Sequence, residues 1–245
     1  MAKQRLDLLL VARGLYASRE QARAAVEAGR VLVGGRAAVK PAMLAPADAP
    51  IELALPPRFV SRGGEKLDHA LTVFGVDVAG AVVADIGAST GGFTDCLLQR
   101  GAARVYAVDV GYGQLDYRLR ADPRVVVVER TNARHMAALP EPVDLLVADV
   151  SFISLTLALP GAVRSLRPGG RLVVLLKPQF EARRGEVGKG GVIRDPLVLA
   201  AVVGRFARWL TGEGYRILGL TLSPIRGASG NREFLMDLYA PAVSA

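Results

Sequence analysis

At 245 residues, 51% of them hydrophobic and 22% charged, the chain has globular composition, enough for one large domain or a catalytic domain with a small appendage, which excludes a disordered tail protein. No run of about 18 uncharged apolar residues occurs, which argues against a membrane span, and residues 1–10 carry Lys3, Arg5 and Asp7 where a signal peptide would need an apolar core. The formal net charge of +8 favours a polyanionic partner, and residues 1–60 concentrate it, with nine Lys/Arg against five Asp/Glu.

Leu6, Leu9, Leu10, Val11 and Leu15 suit one amphipathic helix, and Gly14 punctuates its end. Ser18, with Gln21 three residues on, forms a capping-box pattern that opens a second helix running to about Ala28, where Gly29 stops it. Val31-Leu32-Val33 and Ala37-Ala38-Val39 flank the tight-turn pair Gly34-Gly35 and predict a hairpin. Pro41, Pro46, Pro50, Pro56 and Pro57 then thin out regular structure. The expected division is a small domain over 1–57, a linker over 58–61 and a larger domain over 62–245.

Arg19 and Arg23 stand one turn apart on the second helix, and Lys40 follows the hairpin. With Arg5-Leu6-Asp7 and Gly29-Arg30-Val31-Leu32-Val33-Gly34-Gly35, the segment resembles the S4 RNA-binding domain, with Gly34-Gly35 in place of the usual Asn-Gly. The resemblance implies a small α+β fold that reads RNA shape and phosphates more than base edges. Arg5, Arg19, Arg23 and Lys40 are its candidate RNA contacts, and Arg62 is a further candidate just past the linker. A basic mini-domain whose arginines are merely solvated is the alternative.

From about residue 61 strands and helices alternate, the pattern of a parallel α/β sheet. Strands are expected over 82–86, 104–108, 125–128, 145–148, 172–176, 216–222 and 233–239, with helices over 92–100, near 154–166 and near 196–211. The fold class is therefore α/β, a Rossmann-like domain behind a small N-terminal α+β domain.

Asp85-Ile86-Gly87-Ala88-Ser89-Thr90-Gly91-Gly92-Phe93 ends the first of these strands and starts the next helix. Glycines there permit positive φ and close approach of backbone to a ligand. The spacing is neither G-x-G-x-x-G nor a Walker A loop. With no pyrophosphate to cradle, the loop is expected to face the amino-acid part of S-adenosylmethionine; a tight turn without a ligand is the bland alternative. Asp109, 22 residues after Gly87, can accept both ribose hydroxyls of an adenosine cofactor, a feature NAD would satisfy equally. Asn132 reads either as a hydrogen-bond partner of the adenine edge or as a turn residue. The candidate cofactor residues are Asp85, Gly87, Ala88, Ser89, Gly91, Gly92, Phe93, Asp109, Asn132 and Asp149. No metal is implied.

Methyl transfer from a sulfonium needs alignment and the handling of one proton. The run after the fourth strand, Asp149-Val150-Ser151-Phe152, lacks the Pro-Pro-aromatic pattern of amino-group methylases. Pyrimidine C5 chemistry would need a cysteine nucleophile, and the single cysteine, Cys96, reads as core packing inside a helix. It also cannot close an internal disulfide, so a reducing, cytoplasmic setting is expected. A hydroxyl acceptor remains. Lys177 ends an apolar strand at the carboxyl edge, where α/β sheets bind ligands; Asp149 follows the fourth strand, Glu233 begins the last one and Lys66 lies just before the first helix of the larger domain, a set expected at the rim of one crevice.

Ser61-Arg62-Gly63-Gly64-Glu65-Lys66-Leu67, the glycine-loop motif, Asp149-Val150-Ser151-Phe152-Ile153-Ser154 and Leu176-Lys177-Pro178-Gln179-Phe180-Glu181 resemble the FtsJ/RrmJ class of 2′-O-ribose methyltransferases. With the S4-like segment in front, nearly the whole chain resembles the TlyA family of rRNA methyltransferases, also called haemolysins. The resemblance implies Lys66, Asp149, Lys177 and Glu233 as a catalytic tetrad with Lys177 as base, S-adenosylmethionine as cofactor, and cytidine 2′-OH in ribosomal RNA or ribosomal subunits as substrate. It also implies that Arg58-Phe59-Val60 joins the domains. The Gly-rich loop from Arg183 to Gly191 reads as a lid touching rRNA phosphates or as a solvated loop. A non-catalytic assembly factor and a pore-forming haemolysin are the rival functions; no membrane partner is expected.

Overall fold

The computed structural model describes residues 3–27, 29–54 and 57–241 and divides into two units, residues 1–57 and 58–245. Ala28 and Pro56 lie outside the described residues. The first unit runs β1 (Lys3–Arg5), α1 (Leu6–Ala12), α2 (Arg19–Glu27), β2 (Val31–Val33), β3 (Arg36–Ala37), β4 (Leu44–Pro46) and β5 (Ile51–Leu53). Ser18 caps α2: its Oγ accepts from the Gln21 amide at 3.2 Å. Gly34 and Gly35, at φ +59° and +75°, turn the chain so that Leu32 pairs with Ala37 and Val33 with Arg36. The second hairpin strand thus starts one residue earlier than the sequence suggests, and Ala38 turns inward against the core.

Two strands in the proline-rich stretch correct the expectation of irregular chain: β4 pairs with β1 and β5 with β2. Pro46 is tolerated because it ends a strand in a two-stranded sheet. Leu6, Leu9, Leu10, Ala22, Val26 and Val31 fill a core of their own.

The second unit continues with α3 (Gly63–Val73), β6 (Val82–Ile86), α4 (Gly92–Gln99), β7 (Arg104–Val108), α5 (Tyr117–Arg120), β8 (Val125–Val128), β9 (Val143–Ala148), α6 (Leu155–Ala162), β10 (Leu166–Leu176), α7 (Pro178–Glu181), α8 (Pro196–Gly212), β11 (Arg216–Leu222) and β12 (Phe234–Tyr239). Its seven strands lie in the order β11-β12-β10-β9-β6-β7-β8, with only β12 antiparallel to its neighbours. The strands read as continuous apolar runs because both faces are covered. Val83, Val105, Val147, Val173 and Leu235 face α3 and α4, whereas Ala84, Tyr106, Leu146, Val174 and Met236 face α6 and α8.

This order fixes where chemistry can gather. The sheet reverses direction of growth between β6 and β9, the switch point outside which α/β sheets bind ligands. Ile86 pairs with Val108 on one side and Ala148 on the other, and Leu176 pairs with Phe234. The next residues, Gly87, Asp109, Asp149 and Lys177, and Glu233 just before β12, therefore all emerge at one edge.

Candidate active site

A cleft of about 1070 Å³ opens at that edge, lined by Gly87, Ser89, Asp109, Asn132, Asp149 and Phe152 among others. Its floor is the glycine loop. Gly87 has φ +84°, and a Cβ there would lie 2.5 Å from the Asp149 carbonyl oxygen, so the β6 and β9 ends approach as closely as they do only without a side chain. Gly91, at φ +96°, leaves room for Leu119, and a Cβ on Gly92 would run into Ser61.

The loop residues divide between two roles. Gly87, Ser89 and Asp109 line the cleft, and Ala88 lines a small adjoining hollow with them. Asp85, Gly91, Gly92 and Phe93 are not on its wall: Phe93 packs in the core, and Asp85 is fully buried. Alternate positions of the turn point into the sheet–helix interface. Asp85 Oδ2 accepts from the Thr94 hydroxyl at 2.6 Å, Oδ1 has no hydrogen-bond partner, and burial pushes the carboxyl up to about 7.

Asp109 already organises the loop, accepting from the Ser89 amide at 2.7 Å and the Gly111 amide at 2.6 Å. Each oxygen keeps a second lone pair for a ligand hydroxyl. Asn132 acts as a turn residue, its Oδ1 capping a short 3-10 turn by accepting from the Arg134 amide at 3.0 Å, and it also lines the cleft.

The four tetrad candidates fall into two ion pairs. The Lys177 ammonium stands 2.6 Å from Asp149 Oδ1 and directs its aligned hydrogen bond to Ser151 Oγ, also at 2.6 Å. Lys66, buried on the first turn of α3, donates to Glu233 Oε2 at 2.5 Å across 167 residues of sequence. A Cβ on Gly227 would lie 2.3 Å from Glu233 Oε1, so that glycine lets the turn before β12 close over the carboxylate. Glu181 ties the two motifs together: Ser154 Oγ donates to it at 2.5 Å and the Leu155 amide at 2.7 Å, and burial raises its carboxyl above the usual range.

Two features were not read from the sequence. Phe152 is 93% exposed on the cleft wall at φ +63°, its ring 5.3 Å from that of Phe180. A phenylalanine held in the left-handed region and turned to solvent is a strained choice that packing does not explain; only the backbone angle reveals it. Gln179 Oε1 and Asp149 Oδ1 are buried acceptors on the same wall without an aligned hydrogen bond. Asp149 Oδ1 is met by the Lys177 ammonium, which leaves Gln179 Oε1 as a buried acceptor open to a ligand donor beside the glycine-floored cleft, a fit to S-adenosylmethionine, which brings such donors.

Cys96 is buried in the core, and burial pushes its thiol up to about 12, which removes it as a nucleophile. Residues 58–61 fall in the second unit: Arg58 pairs with Asp68 at 2.5 Å, the Val60 amide donates to Asp95 at 2.8 Å, and Phe59 covers Gly64. Arg62 is exposed at the start of α3. The loop of Arg183, Arg184 and Lys189 is exposed, yet Glu186 within it pairs with Arg205 of α8 at 2.5 Å.

In the first unit Arg5 and Arg19 converge on Asp7, each with a contact of 2.9 Å. Asp7 is fully buried, and the hydrogen bond from Arg5 holds its carboxyl far below the usual range. Arg23 lies 3.9 Å from Glu27 on the helix surface, and Lys40 is exposed.

A seven-stranded sheet of this order, with a glycine loop at its switch point and an acid closing the neighbouring strand, defines a Rossmann-like S-adenosylmethionine-dependent methyltransferase. The FtsJ-like methyltransferase family matches residues 59–239 and the S4 domain residues 4–48. The chain is 48% identical over 240 residues to the 16S/23S rRNA (cytidine-2′-O)-methyltransferase TlyA of Mycobacterium tuberculosis, covering 96% of this chain and 90% of that one. It is 42% identical to Hemolysin A of Brachyspira hyodysenteriae, covering 94% and 98%. The solved structure of a hemolysin-like protein from Streptococcus thermophilus superposes with a TM-score of 0.76 at 42% identity, covering 98% of this chain and 90% of that one. The chain belongs to the TlyA family: FtsJ-like methyltransferases preceded by an S4 domain. Among the described residues no helix is long and apolar enough to cross a membrane.

Proposed function

We propose that this chain methylates the 2′-hydroxyl of a cytidine in ribosomal RNA, free or within a ribosomal subunit, in the cytoplasm. Residues 1–57 grip the RNA, 58–61 form the joint and the second unit performs the chemistry. The Lys177 ammonium held 2.6 Å from Asp149 beside the glycine-floored cleft carries this reading. The activity named for the Mycobacterium tuberculosis relative supplies the substrate class.

Gly87, Ser89, Asp109 and Asn132 would hold S-adenosylmethionine, which supplies a methyl group already activated on sulfur. The protein's own task is to align a weakly acidic hydroxyl and remove its proton. Lys177 Nζ takes that proton once it has released one of its own to solvent. Asp149 and Ser151 aim the amine from either side. Lys66 and Glu233 brace the far end of the same sheet edge. Phe152 offers its ring as a stacking platform for a base lifted out of the RNA, the usual way an unstacked base is held.

Calorimetric titration with S-adenosylmethionine followed by tritiated methyl transfer to ribosomal RNA and to subunits tests this. Lys177→Ala should abolish transfer and leave cofactor affinity within a few-fold; unchanged turnover would remove Lys177 from the mechanism. Cofactor binding without transfer to any ribosomal RNA or subunit would favour an assembly factor instead.

A further inference from the structure

A second groove, of about 480 Å³, opens on the second unit beside the turn that leads into β12. Arg194, Arg226 and Arg232 line it, all three exposed, and none makes an ion pair among the described residues. Arginines elsewhere in this unit divide between those matched to carboxylates and those left without one; here three of the latter share a single groove. The two acids adjacent to these arginines in sequence are already engaged: Asp195 is the N-cap of α8, accepting from the Leu197 amide at 2.8 Å, and Glu233 accepts from Lys66.

The groove is built rather than incidental. Asn231, buried beneath it, accepts from the Ile193 amide at 3.0 Å and donates to the Gly191 carbonyl at 2.7 Å, which clamps one wall to the other. Arg226 donates to the Gly230 carbonyl at 3.0 Å, which holds its guanidinium across the turn. Apolar surface from Val192, Pro196 and Leu199 lies between the arginines. Guanidiniums without counter-ions, one of them held across the turn, suit bidentate contacts to phosphate, and the apolar surface beside them suits the sugars of a nucleic-acid strand.

Arg232 is the residue before Glu233, so the groove begins where the proposed catalytic edge ends. We infer that Arg194, Arg226 and Arg232 form a phosphate-binding track for the RNA strand that carries the target ribose, a second grip independent of the S4 domain. The inference rests on the proposed function for the identity of the RNA, but the groove's affinity for phosphate does not.

The full-length Arg194→Gln/Arg232→Gln variant tests it; Arg226 is kept because it braces the turn. Binding of a single-stranded RNA oligonucleotide is measured across a salt series. The slope of log K against log salt should shallow by about 1.4, roughly 0.7 for each lost phosphate contact. KM for ribosomal RNA should rise while kcat and cofactor affinity hold. The charge-preserving Arg194→Lys/Arg232→Lys variant should recover most of the slope, which a merely structural role would not predict. An unchanged slope in the glutamine variant would overturn the inference, as would tight binding of inorganic phosphate with RNA binding unaffected. A slope that shallows in the glutamine variant while the wild-type protein methylates no ribosomal RNA would sink the proposed function and leave the phosphate track standing.

Discussion

The two units both rest on buried charge, but they orient it oppositely. Around Asp7 the anion is sealed in and the cations face out: the side chains of Arg5 and Arg19 are 41% and 51% exposed. At the sheet edge the cations are sealed in, with Lys66 and Lys177 only 10% and 12% exposed. An inward carboxylate with outward guanidiniums positions donors for a polyanion in solvent, the task of a surface that grips phosphates. An inward ammonium held by a carboxylate keeps a reactive nitrogen aimed and shielded from water, the task of a site that moves one proton. On the proposed function, the same residue types give a grip in one unit and a reaction edge in the other, and exposure decides which.

Removing one partner from each cluster probes this contrast most directly. Glu233→Gln leaves Lys66 buried without its counter-charge and should cost about 3 kcal/mol, together with most of the turnover. Asp7→Asn leaves two half-exposed guanidiniums that water can solvate, so about 1–2 kcal/mol is expected. Chemical denaturation of both variants checks the order, and an equal or larger loss at Asp7 would break the comparison.

A smaller and pH-dependent effect is expected at Asp85. Its carboxyl titrates near 7 when folded against 3.8 unconstrained, so folding must carry a proton over that interval. Its stabilising contribution is complete below about 4 and is lost as pH rises through about 7, a swing of a few kcal/mol. Asp85→Asn should therefore match the parent near pH 4 and melt progressively higher than it up to pH 7 in the absence of ligand. A difference that stays flat with pH would show that the carboxyl is not neutral when folded.

The smallest change belongs to Arg23, whose contact with Glu27 is long and on the surface. Arg23→Ala should alter stability by less than about 0.5 kcal/mol and shallow the salt dependence of RNA binding by roughly one contact's worth. A loss of stability without a change in slope would reassign Arg23 from the RNA face to the fold.

Much of this was readable along the chain. Apolar runs such as Val82-Val83-Ala84 and Leu172-Val173-Val174 announce strands covered on both faces, and Gly87, Gly91 and Gly92 announce a turn that tolerates no side chain. These are local signals, carried by residues close in sequence. Missed were β4 and β5, short strands whose prolines resemble a loop and whose partners lie far away in the chain.

Sequence alone determined the apolar strands and longer helices of the second unit, the glycine turn and the roster of charged residues, because periodicity and backbone freedom are properties of neighbouring residues. Tertiary structure decided how that roster was used: that Lys66 takes Glu233 and Lys177 takes Asp149, that Asp85 lies behind the loop, and that Phe152 stands in the open. Those outcomes follow from strand order and register, which bring together groups as many as 167 residues apart, and from burial, which no single stretch of the chain encodes.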